Sequence, residues 1–187
     1  MPNMHANCRC LLLLLLSTHG LSSVFANNNC GTSIRRAWRD LLCEEQQEYV
    51  DAINLMRDDG IYEKFTVVHF ANRDLTHGVP VFFPWHRWFL WVFEKELQRV
   101  TDSCMTIPYW DSELDSGDEI HSSVLQSHTF GSTEGIDASG CVVEGAFPWT
   151  GTVAARWVAG WHCLQREYNS WATPFIDETR LAELILR

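Results

Sequence analysis

Basic residues are scarce in this sequence of 187 residues: Lys and Arg number 14 against 24 Asp and Glu, and the formal charge is −10. No run of basic residues interrupts the acidic composition. Nucleic acids and anionic lipid surfaces are bound through clustered Lys and Arg, so a chain of this kind is a poor partner for either. We therefore predict no nucleic-acid partner and no membrane partner.

Long apolar runs are also missing, except near the start. Leu11 to Leu16 form an unbroken apolar stretch after the single basic residue Arg9, and Val24-Phe25-Ala26 supplies the small residues of a cleavage site. This pattern predicts a secretory signal peptide over residues 1–26, a mature chain of 187 − 26 = 161 residues and an extracellular location. A membrane anchor is the alternative, but Thr18-His19-Gly20 interrupts the stretch well short of a spanning length.

No two cysteines have the C-x-x-C spacing of a structural zinc site, which disfavours metal-binding thiolates. Of the seven cysteines, five follow the predicted signal peptide: Cys30, Cys43, Cys104, Cys141 and Cys163. In an oxidising compartment these residues are expected to form disulfides, whose pairing the sequence leaves open. Because five is an odd number, we expect one free or intermolecularly bonded thiol, and Cys43 is a candidate.

Aromatic residues are abundant, with nine Trp, ten Phe and four Tyr, and predict a core or pocket built from rings. Length and composition suit one globular domain. Hydrophobic periodicity and turn residues predict helices over 33–57, 61–70 and 85–100, a loop over 71–84, an irregular region over 111–145 with short strands near 141–143, and the start of a helix over 175–187. On the 85–100 helix, the predicted buried stripe is His86, Phe89, Leu90, Phe93 and Leu97.

Three of the eight histidines form the most informative pattern. His69 falls at a predicted helix end, His77 in a loop rich in Pro and Gly, and His86 at the start of an aromatic helix. Three imidazoles that converge from three backbone contexts suit Cu or Zn with an open position. Taken singly, each histidine is better explained as a surface residue or a hydrogen-bonded core residue than as a ligand.

Ligating imidazoles usually donate their second ring N–H to an acceptor. Glu94 lies eight residues after His86 on a neighbouring flank of the same helix, and Asp111 follows an aromatic turn. We predict that these two carboxylates accept such hydrogen bonds. A solvated glutamate is the alternative for Glu94.

The sequence segments around these histidines resemble those of a known protein family. The resemblance covers His69 followed by the segments Thr76-His77-Gly78, Phe83-Pro84-Trp85-His86-Arg87-Trp88-Phe89, Phe93-Glu94-Lys95-Glu96-Leu97 and Ile107-Pro108-Tyr109-Trp110-Asp111. Together these segments resemble the first copper site of the tyrosinase family, the type 3 copper proteins, and most closely its secreted invertebrate members. A weaker similarity extends from Cys30 through Arg166.

The resemblance implies a mainly α fold: part of a tyrosinase or hemocyanin-type helical bundle around copper, with long irregular loops. It implies that His69, His77 and His86 hold one copper ion. Members of the family use two coppers, each bound by three histidines, to oxidise phenols and o-diphenols with O2. Neither a catalytic residue beyond the ligands nor a substrate-binding residue is predicted.

Two departures from the family pattern stand out. The family's second copper site needs a His-x-x-x-His pair, and none of the eight histidines has a partner at that spacing. Residues 27–187 therefore resemble a partial domain that holds the first site alone, so another chain or a second copy would have to supply the second site. The position that carries a thioether-forming Cys in some members is Leu75 here.

Several functions remain open from the sequence. The leading expectation is a copper-dependent phenol oxidase that is incomplete because its second site is missing. A non-catalytic secreted copper-binding or matrix protein and an unstable fragment are the alternatives. A zinc hydrolase with three histidines fits the ligands in principle, and only the family resemblance argues against it.

Overall fold

The computed structural model describes residues 30–148, 163–166, 177, 179, 182 and 183. Its helices are α1 (Cys43–Asp58), α2 (Ile61–Ala71), α3 (Arg73–Thr76) and α4 (Phe82–Thr101), with 3₁₀ turns at Trp38–Asp40 and Glu119–His121. Within the described ranges, extended structure is limited to isolated bridges, including Ile136 with Val142 and Cys141 with Gln165. The predicted mainly α fold is confirmed, while the strands expected near 141–143 amount to these bridges.

Helix α1 begins ten residues later than predicted. Its first turn is capped by Glu45, whose carboxylate accepts the backbone N–H of Leu42 at 2.8 Å. Before it, Arg36 and Trp38 pair their backbones with Tyr109, which holds this segment extended. The prediction that the helix starts at residue 33 is therefore wrong, and the Ile34 side chain is 70% exposed.

A sharp turn joins α1 to α2. Gly60 sits at its centre with φ of 67°, a left-handed conformation that glycine adopts without steric cost. Beyond the turn, the prediction for 61–70 is confirmed by α2. The predicted loop over 71–84 differs from the structure, because α3 lies within it and α4 begins at Phe82, with Pro84 accommodated in the first turn.

The core lies where α1 meets the C-terminal half of α4. Its buried residues are Ala52, Ile53, Met56, Leu97 and Phe147. Rings join α2 to α4: Phe65 packs edge-on against Phe89 at 5.5 Å and against Phe93 at 5.0 Å. This aromatic contact fixes α2, which carries His69, relative to α4, which carries His86.

The N-terminal half of α4 is much less covered than its C-terminal half. Phe83 is 79% exposed, Trp88 56% and Trp91 51%. Leu90, predicted to be buried, is 40% exposed, because the elements that bury Leu97 do not reach the first half of the helix.

Disulfides tie the irregular regions together. Cys30 is bonded to Cys104, and Cys141 to Cys163. Cys43 is disulfide-bonded as well, so the expected free thiol is not found among the five described cysteines. Arg166 adds a further link, since its guanidinium donates to the backbone carbonyls of Phe130 and Gly131.

Among the described residues, no helix is long and apolar enough to cross a membrane. The predicted signal peptide 1–26, His162 and most of the predicted helix 175–187 lie outside the described residues.

Candidate metal centre

Three separate elements deliver the three predicted histidines to one place. His69 lies in the last turn of α2, His77 directly follows the short helix α3, and His86 lies in the second turn of α4. Their ring centroids are 4.8 to 5.4 Å apart. The structure therefore brings together the residues that the sequence spacing singled out.

The potential ligand atoms face one another. One nitrogen from each ring lies within 4.8 Å of the other two, and Nε2 of His69 is 3.3 Å from Nε2 of His86. Two imidazole nitrogens held by one ion at about 2.0–2.1 Å and a tetrahedral angle are about 3.3 Å apart. The observed spacing of this pair matches that requirement.

Backbone carbonyls select the ring tautomers. Nδ1 of His77 lies 2.9 Å from the carbonyl oxygen of Arg73, and Nδ1 of His86 lies 2.7 Å from that of Phe82. A carbonyl oxygen only accepts hydrogen bonds, so both Nδ1 atoms must carry the proton. Each Nε2 is left with a lone pair available to a metal ion.

Aromatic rings enclose one side of the centre. The Trp85 ring stacks on His69 at 6.0 Å and on Phe89 at 5.0 Å, while the Phe82 ring lies 4.3 Å from His86. His69 and His86 are half-buried by these contacts, whereas His77 is exposed. Water and small molecules can therefore approach from the His77 side.

Burial lowers the pKa of His69 below its ordinary value of 6.5, and the nearby His86 and His77 imidazoles lower it further. The reason is that a positive charge on His69 would be poorly solvated and would repel any charge on its neighbours. The lowered pKa favours the neutral form of His69, which is the form that binds metal ions.

The donor set fits copper. It consists of three imidazoles, without a carboxylate or thiolate among the ligands of this group. Imidazole is a good ligand for Cu and Zn, whereas Mg and Ca prefer oxygen. With three protein ligands and one accessible side, the group can hold an ion that keeps a position open for a further ligand.

Glu94 and Asp111, the two residues predicted to support these imidazoles, make other hydrogen bonds. Glu94 accepts hydrogen bonds from the Ser33 hydroxyl at 2.7 Å, from Arg35 at 3.0 Å and from the Ile107 backbone at 3.1 Å. Asp111 contributes its backbone carbonyl to Arg39 at 3.4 Å. No hydrogen bond of the described residues joins either carboxylate to the three imidazoles.

The sequence did not predict the groups that form hydrogen bonds with the imidazoles. They are the carbonyls of Arg73 and Phe82 and the hydroxyl of Thr76, whose oxygen lies 3.2 Å from Nδ1 of His77. The two carbonyls could have been predicted, because each precedes its histidine by four residues, the spacing of one helical turn. The exposed residues His121 and His128 are not part of the group.

Comparison with known proteins identifies related chains. The family model described as the common central domain of tyrosinase matches residues 59–181, more than half of the chain. This interval contains all three histidines of the centre.

Individual relatives agree with the family match. A tyrosinase of Aspergillus flavus is 29% identical over 173 residues, which cover 84% of this chain and 48% of the relative. A putative tyrosinase-like protein of Caenorhabditis elegans is 30% identical over 74% of this chain and 20% of its own length. The grixazone synthase of Streptomyces griseus is 33% identical over 61% of this chain and 40% of its own length. The chain thus spans about half or less of each of these relatives.

Proposed function

The chain belongs to the tyrosinase family, and from that premise we propose that His69, His77 and His86 hold one copper ion of a phenol-oxidising centre. The observation that carries the proposal is the convergence of three imidazole nitrogens within 4.8 Å of one another. Bound copper would supply the redox chemistry by which O2 oxidises phenols or o-diphenols. The convergence itself is independent of the family match.

The residues of the chain contribute positioning and shielding. The carbonyls of Arg73 and Phe82 hold the Nδ1 protons, so that Nε2 of His77 and Nε2 of His86 are presented to the ion. The stack of Trp85 on His69 and Phe89 excludes water from one side of the centre. A planar phenol ring would enter from the opposite side, where His77 is exposed.

We further propose that oxidation requires a second set of imidazoles from outside these 187 residues. Supporting this, the sequence contains no His-x-x-x-His pair, and the described residues contain one group of three potential ligands. The second set would come from more of the same polypeptide, another chain or a second copy. On its own, the chain would bind one copper without turning over phenols.

Secretion is also part of the proposal. The apolar stretch and small residues over 1–26 have the pattern of a signal peptide. Disulfides at Cys30–Cys104 and Cys141–Cys163 suit a protein that matures in an oxidising compartment. N-terminal sequencing of the protein from the medium of secreting cells should find Asn27 first; an intact residue 1 would contradict the proposal.

Copper analysis of the purified chain tests the central proposal. We expect one copper per chain in the unaltered protein and in His121→Ala, and strongly reduced copper in His77→Ala. His121 is a matched control because it is an exposed histidine outside the group. Equal copper in all three proteins would overturn the assignment of the site.

Peroxide addition and a catechol assay test the need for a second site. One copper per chain with no near-ultraviolet band and no turnover would support a solitary site. A strong band together with catechol oxidation would mean that two copies pair their coppers, which would identify a second copy as the source of the second set of imidazoles. Catechol oxidation without such a band would contradict the requirement for a second site. One copper, no band and no turnover even with a family member's second-site half added would favour a non-catalytic copper-binding protein.

A further inference from the structure

Thr76 is buried directly beside an exposed histidine. Its side chain is 3% exposed, whereas the next residue, His77, is exposed to solvent. The Thr76 hydroxyl oxygen lies 2.9 Å from the carbonyl oxygen of Asn72 and 3.2 Å from Nδ1 of His77. Because the Asn72 carbonyl can only accept, the hydroxyl donates its proton there. Its lone pairs are then free to accept from the protonated Nδ1 of His77.

Asn72 connects this hydroxyl to the helix that carries His69. It lies between α2 and α3, and its side-chain amide donates to the Val68 carbonyl at 2.8 Å. A continuous series of hydrogen bonds therefore runs from Val68, the residue before His69, through Asn72 and Thr76 to the ring of His77. These bonds tie the His77 ring to the backbone of the helix that carries His69.

We propose that Thr76 is a positioning residue for the metal centre, holding the exposed His77 ring in the direction that binding requires. This inference rests on the proposed metal-binding function. The Arg73 carbonyl already selects the tautomer of His77, so the Thr76 hydroxyl adds a second contact on the same ring edge that limits rotation. An exposed ring held by one hydrogen bond alone would sample orientations in which Nε2 turns away from the other ligands.

Metal affinity in matched variants tests this role. Thr76→Val removes the hydroxyl with little change in shape, Thr76→Ser keeps the hydroxyl, and Thr66→Val is the control. The Thr66 hydroxyl makes the same kind of bond, to the Tyr62 carbonyl at 3.3 Å, and has no hydrogen bond to the imidazoles. We expect Cu(I) and Zn²⁺ affinities, measured by competition with chromogenic chelators, to fall about 10-fold in Thr76→Val. Thr76→Ser and Thr66→Val should stay close to the unaltered protein.

Nuclear magnetic resonance of the metal-free protein supplies an independent readout. The Nδ1 proton of His77 should be observable in the unaltered protein and in Thr76→Ser, and should exchange faster with water in Thr76→Val. If the unaltered protein binds neither Cu(I) nor Zn²⁺, the proposed metal-binding function is wrong. The exchange rates of the Nδ1 proton in the three proteins still test whether Thr76 positions the His77 ring.

Three results would overturn the proposal: Thr76→Val with unchanged affinity and unchanged proton exchange, Thr66→Val with an equal loss, or Thr76→Ser no better than Thr76→Val. Thermal unfolding shows whether each variant is folded. If Thr76→Val does not fold, Thr76→Ala takes its place against Thr76→Ser, because it removes the hydroxyl without placing a second methyl group against the Asn72 carbonyl.

Discussion

The two halves of α4 lie in different surroundings although they belong to one continuous helix. In the second half, Glu94, Leu97 and Gln98 are buried against the core. In the first half, Trp88 and Trp91 are about half exposed, and His86 belongs to the candidate metal centre. This helix therefore separates two tasks, since the half that anchors the fold is not the half that carries His86.

Substitution of Leu97, in the C-terminal half of α4 that anchors the fold, should have the largest effect. Its side chain is fully buried, so Leu97→Ala should lower the free energy of unfolding by about 3 kcal/mol through lost burial and a cavity. Leu90→Ala, on the exposed half of the same helix, should cost less than about 1 kcal/mol. Denaturant titrations of both variants measure the contrast, and equal losses would remove the distinction between the halves.

Substitution of His86 tests the N-terminal half of α4, which carries one ligand of the candidate metal centre. His86→Ala removes one of three ligands and should weaken copper binding about 100-fold or more, which corresponds to about 2.7 kcal/mol. The metal-free variant should unfold within about 1 kcal/mol of the unaltered protein, because His86 is only half-buried. Competition titrations and denaturation measure the two quantities. A loss of stability as large as that of Leu97→Ala would show that the halves are not separable.

Glu94 makes the anchoring half sensitive to acid. Burial by itself would raise the pKa of Glu94, but hydrogen bonds from Ser33, the Ile107 backbone and Arg35, with the charge of Arg35, lower it below 4.5. A carboxylate with a lowered folded-state pKa stabilises the fold above about pH 4.5, and this contribution is lost as the pH falls through the folded-state value.

Glu94→Gln should therefore cost about 2 kcal/mol at neutral pH, with a smaller difference from the unaltered protein below about pH 4.5. The partial exposure of Arg35 limits the loss, because its freed charge can be solvated. Denaturation at pH 7 and at acidic pH measures the effect. Parallel stability curves at all pH values would mean that Glu94 is not the titrating group.

Trp91 should give the smallest effect. Its ring is half exposed, and the ammonium group of Lys95 lies 5.9 Å from the ring centroid. Trp91→Ser should change the free energy of unfolding by about 0.5 kcal/mol, while Trp91→Phe, which keeps a ring, should change it less. A loss near that of Leu97→Ala would mean that the exposed half is covered in solution, and sedimentation analysis would identify self-association.

The sequence predicted the grouping of the three histidines from their spacing together with the resemblance of the surrounding segments to the first copper site of the tyrosinase family. The positions of α2 and α4 follow from their apolar residues, and His69, His77 and His86 do lie together. The sequence predictions failed where tertiary contacts decide the conformation or the partners of a residue. Ile34 is held extended by strand-like pairing of Arg36 with Tyr109, and Glu94 is recruited by the distant Ser33. Neither contact leaves a periodic signal, because the partners are far apart in the chain.

The support of His77 could not be predicted for a related reason. It depends on α3, a helix of four residues that is too short to produce a hydrophobic period. Thr76 and Asn72 look like ordinary loop residues in the sequence. Only the folded backbone brings the Thr76 hydroxyl to the imidazole.

The Cys30–Cys104 disulfide, with a sequence separation of 74, closes a ring of chain that contains helices α1 to α4 and the three imidazoles. Such a ring lowers the entropy of the unfolded chain by an amount worth about 4.5 kcal/mol. It also keeps the imidazoles at a high effective concentration after unfolding, so the oxidised, unfolded ring can still capture copper. Since a ligand stabilises a fold only by binding it more tightly than the unfolded chain, copper should raise the melting temperature less with this disulfide intact than in the double variant Cys30→Ser, Cys104→Ser, which opens the ring without adding thiols.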